Sequence, residues 1–165
     1  MKKAIYIVGI LIAIFFNGFA FADWSTVISI KGVDSGGQTN GQVVIGEAET
    51  ADIKPSPPDA PEFSCKIAIP SSDWKSSNTV DIKAIDTSDQ QWILAINPKG
   101  NAKNFSESTV LVSWDPLTLG SGQFELRKGW KADEGEVLIS DMKKVSSFEI
   151  SGENDIDQYF TIVHY

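Results

Sequence analysis

The residue types that carry most covalent catalysis are scarce in this chain of 165 residues. It has one histidine, His164, and one cysteine, Cys65, and they lie far apart in the sequence. Nucleophilic catalysis needs an imidazole held beside a hydroxyl or thiol, and nothing in the spacing of these two residues predicts such a contact. Zinc and related metals need clustered histidines and cysteines, which the chain does not supply.

Carboxylates are the other chemistry on offer, because the chain holds 22 aspartates and glutamates. A catalytic pair of carboxylates, like the pair that glycoside hydrolases use, remains an alternative at this point. Acidic residues at loop tips are more often simply solvated, so the sequence favours a protein that is not an enzyme. No cofactor is predicted apart from a candidate calcium ion.

Calcium is the metal that the composition allows, since oxygen-rich loops in acidic domains can bind it. Two polar stretches, 34–40 and 154–157, provide such oxygens, although neither has the spacing of an EF-hand loop. Turn chemistry, in which Asn and Asp adopt left-handed backbone, explains both stretches equally. The candidate ligands are Asp34, Asn40, Asp155 and Asp157.

Five tryptophans offer apolar surface for binding. Trp92 and Trp114 lie in alternating segments and are expected in the core. Trp74 and Trp130 lie in polar connections, and Trp130 is flanked by Lys128 and Lys131. An exposed Trp can stack on a sugar or fill a pocket of a partner, whereas the alternative is that each ring caps the end of the fold. The candidate ligand-binding residues are Trp74, Trp130, Lys128 and Lys131.

Residues 1–22 have the three parts of a secretory signal peptide. Lys2 and Lys3 precede an apolar run over 4–16, and Ala20 and Ala22 place small residues before a cut after position 22. The alternative is an uncleaved anchor, but the run is shorter than the ~20 residues that span a bilayer. The sequence therefore predicts export to the periplasm, the cell surface or the medium, with no membrane span after cleavage.

The mature segment, 23–165, is strongly acidic. Removing two lysines from the net charge of −8 leaves −8 − 2 = −10. This charge argues against nucleic acid and against anionic membrane surfaces, and it favours neutral or cationic ligands. With a single cysteine no disulfide can form within the chain, so Cys65 is expected to be a buried thiol rather than a nucleophile or an intermolecular bridge.

Alternation of apolar and polar residues with period two dominates this segment and predicts about ten short strands. Residues 47–62, acidic and rich in proline, are predicted to form a stiff crossover within one domain; a linker between two domains is the alternative. Only 24 residues of the mature segment, 23–46, precede this stretch, too few for a separate core. The prediction is one all-β domain over 23–165, a two-sheet antiparallel β-sandwich of immunoglobulin-like or jelly-roll-like form.

Several segments together resemble a known kind of module. They are QWILAI (91–96), STVLVSWDP (108–116), QFELRKG (123–129), EVLISDMK (136–143) and QYFTIVHY (158–165). In this order they resemble the immunoglobulin- or fibronectin-like β-sandwich modules of exported prokaryotic proteins, which often lie near dockerin or C-terminal secretion-sorting segments. Lys143 departs from that pattern, which usually has Arg. The resemblance implies a non-catalytic accessory or surface role.

Charge, export and the resemblance favour one function. The chain is predicted to be a non-catalytic binding or interaction module at the surface or in the periplasm, with a protein or glycan of the cell envelope as its partner. The alternatives are a stand-alone carbohydrate-binding module and a structural subunit of a cell-surface assembly.

Overall fold

The computed structural model describes residues 23–32, 40–56, 64–69, 77–86, 88–98, 108–152 and 157–165. The predicted signal peptide, 1–22, lies outside them. The described residues form strands and one short 3-10 helix, Pro116–Thr118, with no α-helix, so the all-β prediction is confirmed. The strands are β1 (Trp24–Gly32), β2 (Asn40–Ala48), β3 (Asp52–Pro55), β4 (Ser64–Ala68), β5 (Ser77–Ala84), β6 (Gln90–Asn97), β7 (Ser108–Ser113), β8 (Phe124–Lys128), β9 (Val137–Ile139), β10 (Ser147–Gly152) and β11 (Gln158–His164).

The strands form one continuous sheet that curls into a half-barrel. Its order is β10-β7-β1-β2-β5-β4-β6-β11-β8-β9, with β3 paired to β5 beside this path. The prediction of two separate antiparallel sheets differs from this arrangement, because β5 pairs with β2 in parallel and with β4 antiparallel and so joins the two halves. A parallel pair needs a long crossover, and residues 49–76 provide it.

The acidic, proline-rich stretch 47–62 contributes paired backbone, which the prediction of a crossover did not include. Glu47 and Ala48 end β2, and Asp52 to Pro55 form β3 against β5. All four residues of β3 are exposed, and its register shifts at Pro55. Proline has no amide hydrogen to donate, so it is tolerated at such an edge position.

The core lies inside the curl and follows the predicted alternation. On β1 the side chains of Thr26, Ile28 and Ile30, which are spaced two residues apart, are buried. Trp92 and Trp114 are buried too, and each donates its indole N–H to a backbone carbonyl, of Asp81 and Met142 respectively, at 2.9 Å. These bonds satisfy the polar atom of a large buried ring, so the core places predicted for both tryptophans are confirmed.

Strand β6 is buried on both faces, as is the middle of the neighbouring strand β11. Trp92, Leu94 and Ile96 join the main core, while Ile93 and Ala95 pack in a smaller cluster on the other face. A strand buried on both faces has a nearly continuous apolar sequence.

No helix among the described residues is long and apolar enough to cross a membrane.

Candidate functional site

The hairpin of β8 and β9, residues 124–139, carries the exposed tryptophan. Its strands are joined by the turn 129–136, and Trp130 at the start of this turn is 47% exposed. Gly129 has a φ of +95°, a left-handed conformation that glycine adopts without strain. Its amide donates to the carbonyl of Tyr159 at 2.7 Å, and its own carbonyl accepts from the Thr161 hydroxyl at 2.9 Å. Strand β11 therefore fixes the backbone beside Trp130.

The far side of the turn is fixed as well. The Arg127 Nη1 atom donates to the carbonyl of Ala132 at 2.7 Å, and the amide of Lys128 donates to the carbonyl of Glu136 at 2.9 Å. The hairpin thus presents Trp130 from a tethered turn.

Two more apolar side chains lie exposed on the same hairpin. Val137 is 43% exposed and Leu138 is 40% exposed, and both belong to β9, the last strand in the sheet order. A terminal strand presents unpaired backbone N–H and C=O groups along one side. Exposed apolar side chains on a strand that, within the described ranges, is paired on one side only are suited to contact with another protein chain.

The basic cluster predicted around Trp130 is largely neutralised within the hairpin. Lys131 pairs with Glu134 at 2.6 Å, and Arg127 pairs with Glu125 at 2.7 Å. Hydrogen bonds to these carboxylates raise the pKa of Lys131 and of Arg127. Lys128 is exposed at the end of β8. The hairpin therefore offers little net positive charge to an anionic ligand.

The remaining predicted site residues lie in several places. Trp74, Asp34 and Asp155 lie outside the described residues. The backbone of Asn40 begins β2 and pairs with Lys31, while Asp157 is half-buried just before β11. Within the described ranges no group of three or more His, Cys, Asp or Glu residues is placed to hold a metal ion. Calcium binding stays a prediction.

A second constellation, which the sequence analysis did not find, surrounds the single histidine. His164 Nδ1 lies 2.6 Å from Glu47 Oε1, and its Nε2 lies 2.7 Å from the carbonyl oxygen of Ser121. Both neighbours can accept a hydrogen bond, and which ring nitrogen donates depends on the tautomer of the imidazole. We call these three groups the histidine clamp. It ties β11 to the end of β2, two strands that are not adjacent in the sheet.

Aromatic rings enclose the histidine clamp. The Phe124 ring stacks on His164 with a centroid distance of 4.2 Å and an angle of 7°. Trp24 meets both rings edge-on, at 5.0 Å from Phe124 and 5.7 Å from His164. Lys143 Nζ lies over the Phe124 ring, 5.4 Å from its centroid, and donates to the carbonyl of Gly122. The clamp is thus a packed junction of β1, β2, β8 and β11.

Alternation along the strands could have indicated this junction. Glu47 shares a face of β2 with the buried Val43 and Ile45, and His164 shares a face of β11 with the buried Phe160 and Ile162. A carboxylate and an imidazole on apolar faces each need a buried partner. The sequence therefore indicated that each residue needs a partner, but not which partner it has.

The clamp leaves no ring nitrogen of His164 available as a base in this geometry, since both are engaged. Cys65 lies buried in β4, and desolvation raises the pKa of its thiol to about 12. A thiol held protonated by burial is a poor nucleophile, and the buried position of Cys65 is the predicted one.

Comparison of the chain with protein-family models, with curated proteins and with solved structures finds no match.

Proposed function

We propose that this chain is an exported, non-catalytic binding module, and that it contacts a protein partner of the cell envelope through the β8–β9 hairpin. The observation that carries the proposal is the placement of Trp130, 47% exposed on a turn tied to β11, on the hairpin that also exposes Val137 and Leu138. Export rests on the signal-like pattern of residues 1–22.

The physical basis is pre-organisation. Tryptophan is among the residues that contribute most to protein interfaces, and a side chain mounted on a tethered turn loses less conformational freedom on binding than one on a flexible loop. Val137 and Leu138 add exposed apolar side chains to the hairpin, and β9, which among the described strands pairs only with β8, offers backbone hydrogen bonds to an extended segment of the partner.

Site-specific photo-crosslinking tests the proposal. A photoreactive side chain replaces Leu138 in one variant and Val27 in a control variant; Val27 is similarly exposed, at 44%, but lies on β1. We expect one dominant crosslinked envelope protein from position 138 and none from position 27. Equal crosslinking from both positions, or none from position 138, would overturn the proposal.

Direct binding to the identified partner then isolates the contribution of Trp130. We expect Trp130→Ala to weaken the complex by at least about 2 kcal/mol, roughly 30-fold, as for a central interface residue. Thr109→Ala on β7 serves as a distant control that leaves the affinity unchanged. An unchanged affinity for Trp130→Ala would remove this residue from the interface.

Glycan binding is the second candidate, because the exposed ring of Trp130 could stack on a sugar. Lys131 Nζ lies 5.1 Å from the ring centroid and covers one face, so stacking is confined to the other. Titration with oligosaccharides tests this candidate: a saturable change in tryptophan fluorescence that disappears in Trp130→Ala supports it, and its absence with all ligands rejects it.

A further inference from the structure

A pocket of about 280 Å³ opens beside the histidine clamp, and Trp130 is not among its described lining residues. It lies where β1 begins and where β2 and β11 end, and the connection from β5 to β6 forms one side. Pockets for drug-sized ligands begin at about 300 Å³. This pocket lies just below that volume, so it has room for a ligand with a single small ring. Trp24 and Tyr165 are its aromatic lining residues.

The clamp gives the pocket a rigid base. Glu47 and His164 both line it, and their side chains are bonded to each other at 2.6 Å. The amide of Ile85, another lining residue, donates to the carbonyl of Ala48 at 3.0 Å, so the β5–β6 connection is tied to the end of β2. Elements from distant parts of the chain are thus held in a fixed arrangement around the space.

The aromatic wall is also held in place. Tyr165 is 46% exposed, and its hydroxyl accepts from Arg127 Nη2 at 3.1 Å and donates to Glu125 Oε2 at 3.2 Å. A ring anchored through its polar end presents an apolar face without rotational freedom to lose. Such a face is suited to stacking on another ring.

The polar lining combines carboxylates with hydroxyls. Asp86 and Asp89 contribute carboxylates, and Ser88 donates its hydroxyl to Asp86 at 3.0 Å. Among the described lining residues there is no Lys or Arg, and the chain as a whole carries −8, so an anionic ligand is repelled. Carboxylates accept from hydroxyl groups, and serine hydroxyls both donate and accept.

One buried donor in the wall has no partner. The indole N–H of Trp24 is buried and makes no hydrogen bond to any group that the structure describes. Gly120 packs against this indole so closely that a side chain there would collide with it. Leaving a buried donor unpaired costs about 1–3 kcal/mol, and because this N–H has no accessible surface the fold bears that cost without offering the donor to the pocket.

We propose that this pocket binds a single neutral sugar residue, stacked against Tyr165 and hydrogen-bonded through its hydroxyls to Asp86 and Asp89. A sugar supplies hydroxyl donors to the carboxylates and a ring face to Tyr165, whereas a linear ammonium ion supplies donors but no ring to stack. The inference goes beyond the interaction surface proposed above and does not depend on it, because the two sites share no residue.

Titration of the protein expressed from its full chain tests the proposal. The probes are glucose, galactose, mannose, xylose and N-acetylglucosamine, with putrescine as a cation and glucose 6-phosphate as an anion. Ligand-observed NMR and tryptophan fluorescence are the readouts, the latter in a Trp130→Phe background so that Trp130 does not contribute. We expect saturable binding of at least one neutral sugar, with half-saturation on the order of 1 mM or lower.

Variants assign the binding to this pocket. The double variant Asp86→Asn, Asp89→Asn keeps the side-chain volumes and is expected to weaken sugar binding at least tenfold. Tyr165→Ala, which removes the stacking face, is expected to do the same. Trp130→Ala is the matched control and leaves the affinity unchanged, which separates this site from the hairpin.

Several results would overturn the inference. They are no saturable binding of any neutral sugar, tighter binding of putrescine than of every sugar, and an affinity that is unchanged in both pocket variants. Loss of sugar binding in Trp130→Ala alone would assign the glycan to the hairpin instead.

Discussion

The two ends of β8 place aromatic residues in opposite surroundings. At its start Phe124 is fully buried, stacked on His164 and crossed by Trp24. Just past its end Trp130 is half-exposed and belongs to a hairpin held by hydrogen bonds close to the turn. One strand thus connects the histidine clamp, where a large ring is enclosed by other rings, with a surface where a large ring meets solvent.

The difference lies in what each end ties together. The clamp joins residues 117 positions apart in the sequence, Glu47 and His164, whereas the ion pair beside Trp130 joins Lys131 to Glu134, three positions away. Contacts between distant segments are lost on unfolding together with the core, while local contacts in a hairpin are easily replaced by water. Substitutions at the clamp should therefore cost stability, and substitutions at the hairpin should chiefly affect binding.

Thiol chemistry should show the largest contrast between interior and hairpin. Burial raises the pKa of Cys65 from 9.0 to about 12, so at pH 8 its thiolate fraction is about a thousandfold below that of a free cysteine. We expect a second thiol introduced on the hairpin by Leu138→Cys to react with an aromatic disulfide reagent while Cys65 does not. Counting released thiolate in native protein and in urea measures this; two reactive thiols in the native state would contradict it.

The same pKa fixes a pH dependence of stability. Because the folded-state value is raised, the thiol keeps its proton in the folded protein at pH values where the unfolded chain has lost it. The contribution is fully present below about pH 9 and is lost as the pH rises from 9 towards 12. Urea unfolding at pH 8, 9.5 and 10.5 should show a steeper decline in the wild type than in Cys65→Ala, and parallel curves would refute the linkage.

Truncating one ring at each end of β8 should give the next largest contrast. Phe124→Ala removes a fully buried ring in contact with His164 and Trp24, and we expect a loss of about 3–5 kcal/mol in the free energy of unfolding. Trp130→Ala should change it by no more than about 0.5 kcal/mol. Denaturant titration of both variants measures the contrast, and similar losses would show that the hairpin is part of the core.

How far the sequence predicted this contrast depends on what alternation can encode. Period two predicted the strands and the core positions of Trp92 and Trp114, because the side chains of a strand point alternately to its two faces. It did not predict that β2 and β5 pair in parallel, since alternation specifies a face and not a neighbouring strand. Strand β3 was not predicted because Asp, Lys and Pro are poor strand formers. It belongs to the connection from β2 to β5, and this connection places it beside β5.

The sites divide in the same way. The exposed position of Trp130 follows from its polar neighbours, which the sequence displays directly. The contact of His164 with Glu47 depends on how a curled sheet brings the ends of β2 and β11 together, and local sequence does not contain that geometry. A charged residue on an apolar face was the available signal, and it identifies the need for a partner without naming one.

Glycine substitutions test the same difference between the clamp and the hairpin, because each end of β8 has one glycine with positive φ nearby. Alanine at Gly129 meets nothing within 4 Å, so only the strained backbone counts, about 1–2 kcal/mol. At Gly122 the new Cβ would lie 2.5 Å from the Tyr165 carbonyl and 2.7 Å from His164 Nε2. The crowding adds about 1–3 kcal/mol, so in denaturant Gly122→Ala should be clearly less stable than Gly129→Ala. Equal losses in the free energy of unfolding would mean that the residues of the clamp move aside for the new Cβ without destabilising the fold.

Two contacts of glutamate side chains make the smallest comparison, since both have the same length. Glu47 to His164 and Glu134 to Lys131 are each 2.6 Å, but the Glu47 side chain is 8% exposed and that of Glu134 is 64% exposed. Water screens the exposed pair and competes for its atoms, so Glu134→Gln should leave the free energy of unfolding unchanged. Glu47→Gln keeps the shape but replaces a charge-assisted hydrogen bond by a neutral one beside His164, which should cost about 1.5 kcal/mol. If denaturant titration finds both variants equal to the wild type, the clamp is held by its aromatic packing alone, and the carboxylate of Glu47 contributes to the pocket rather than to the fold.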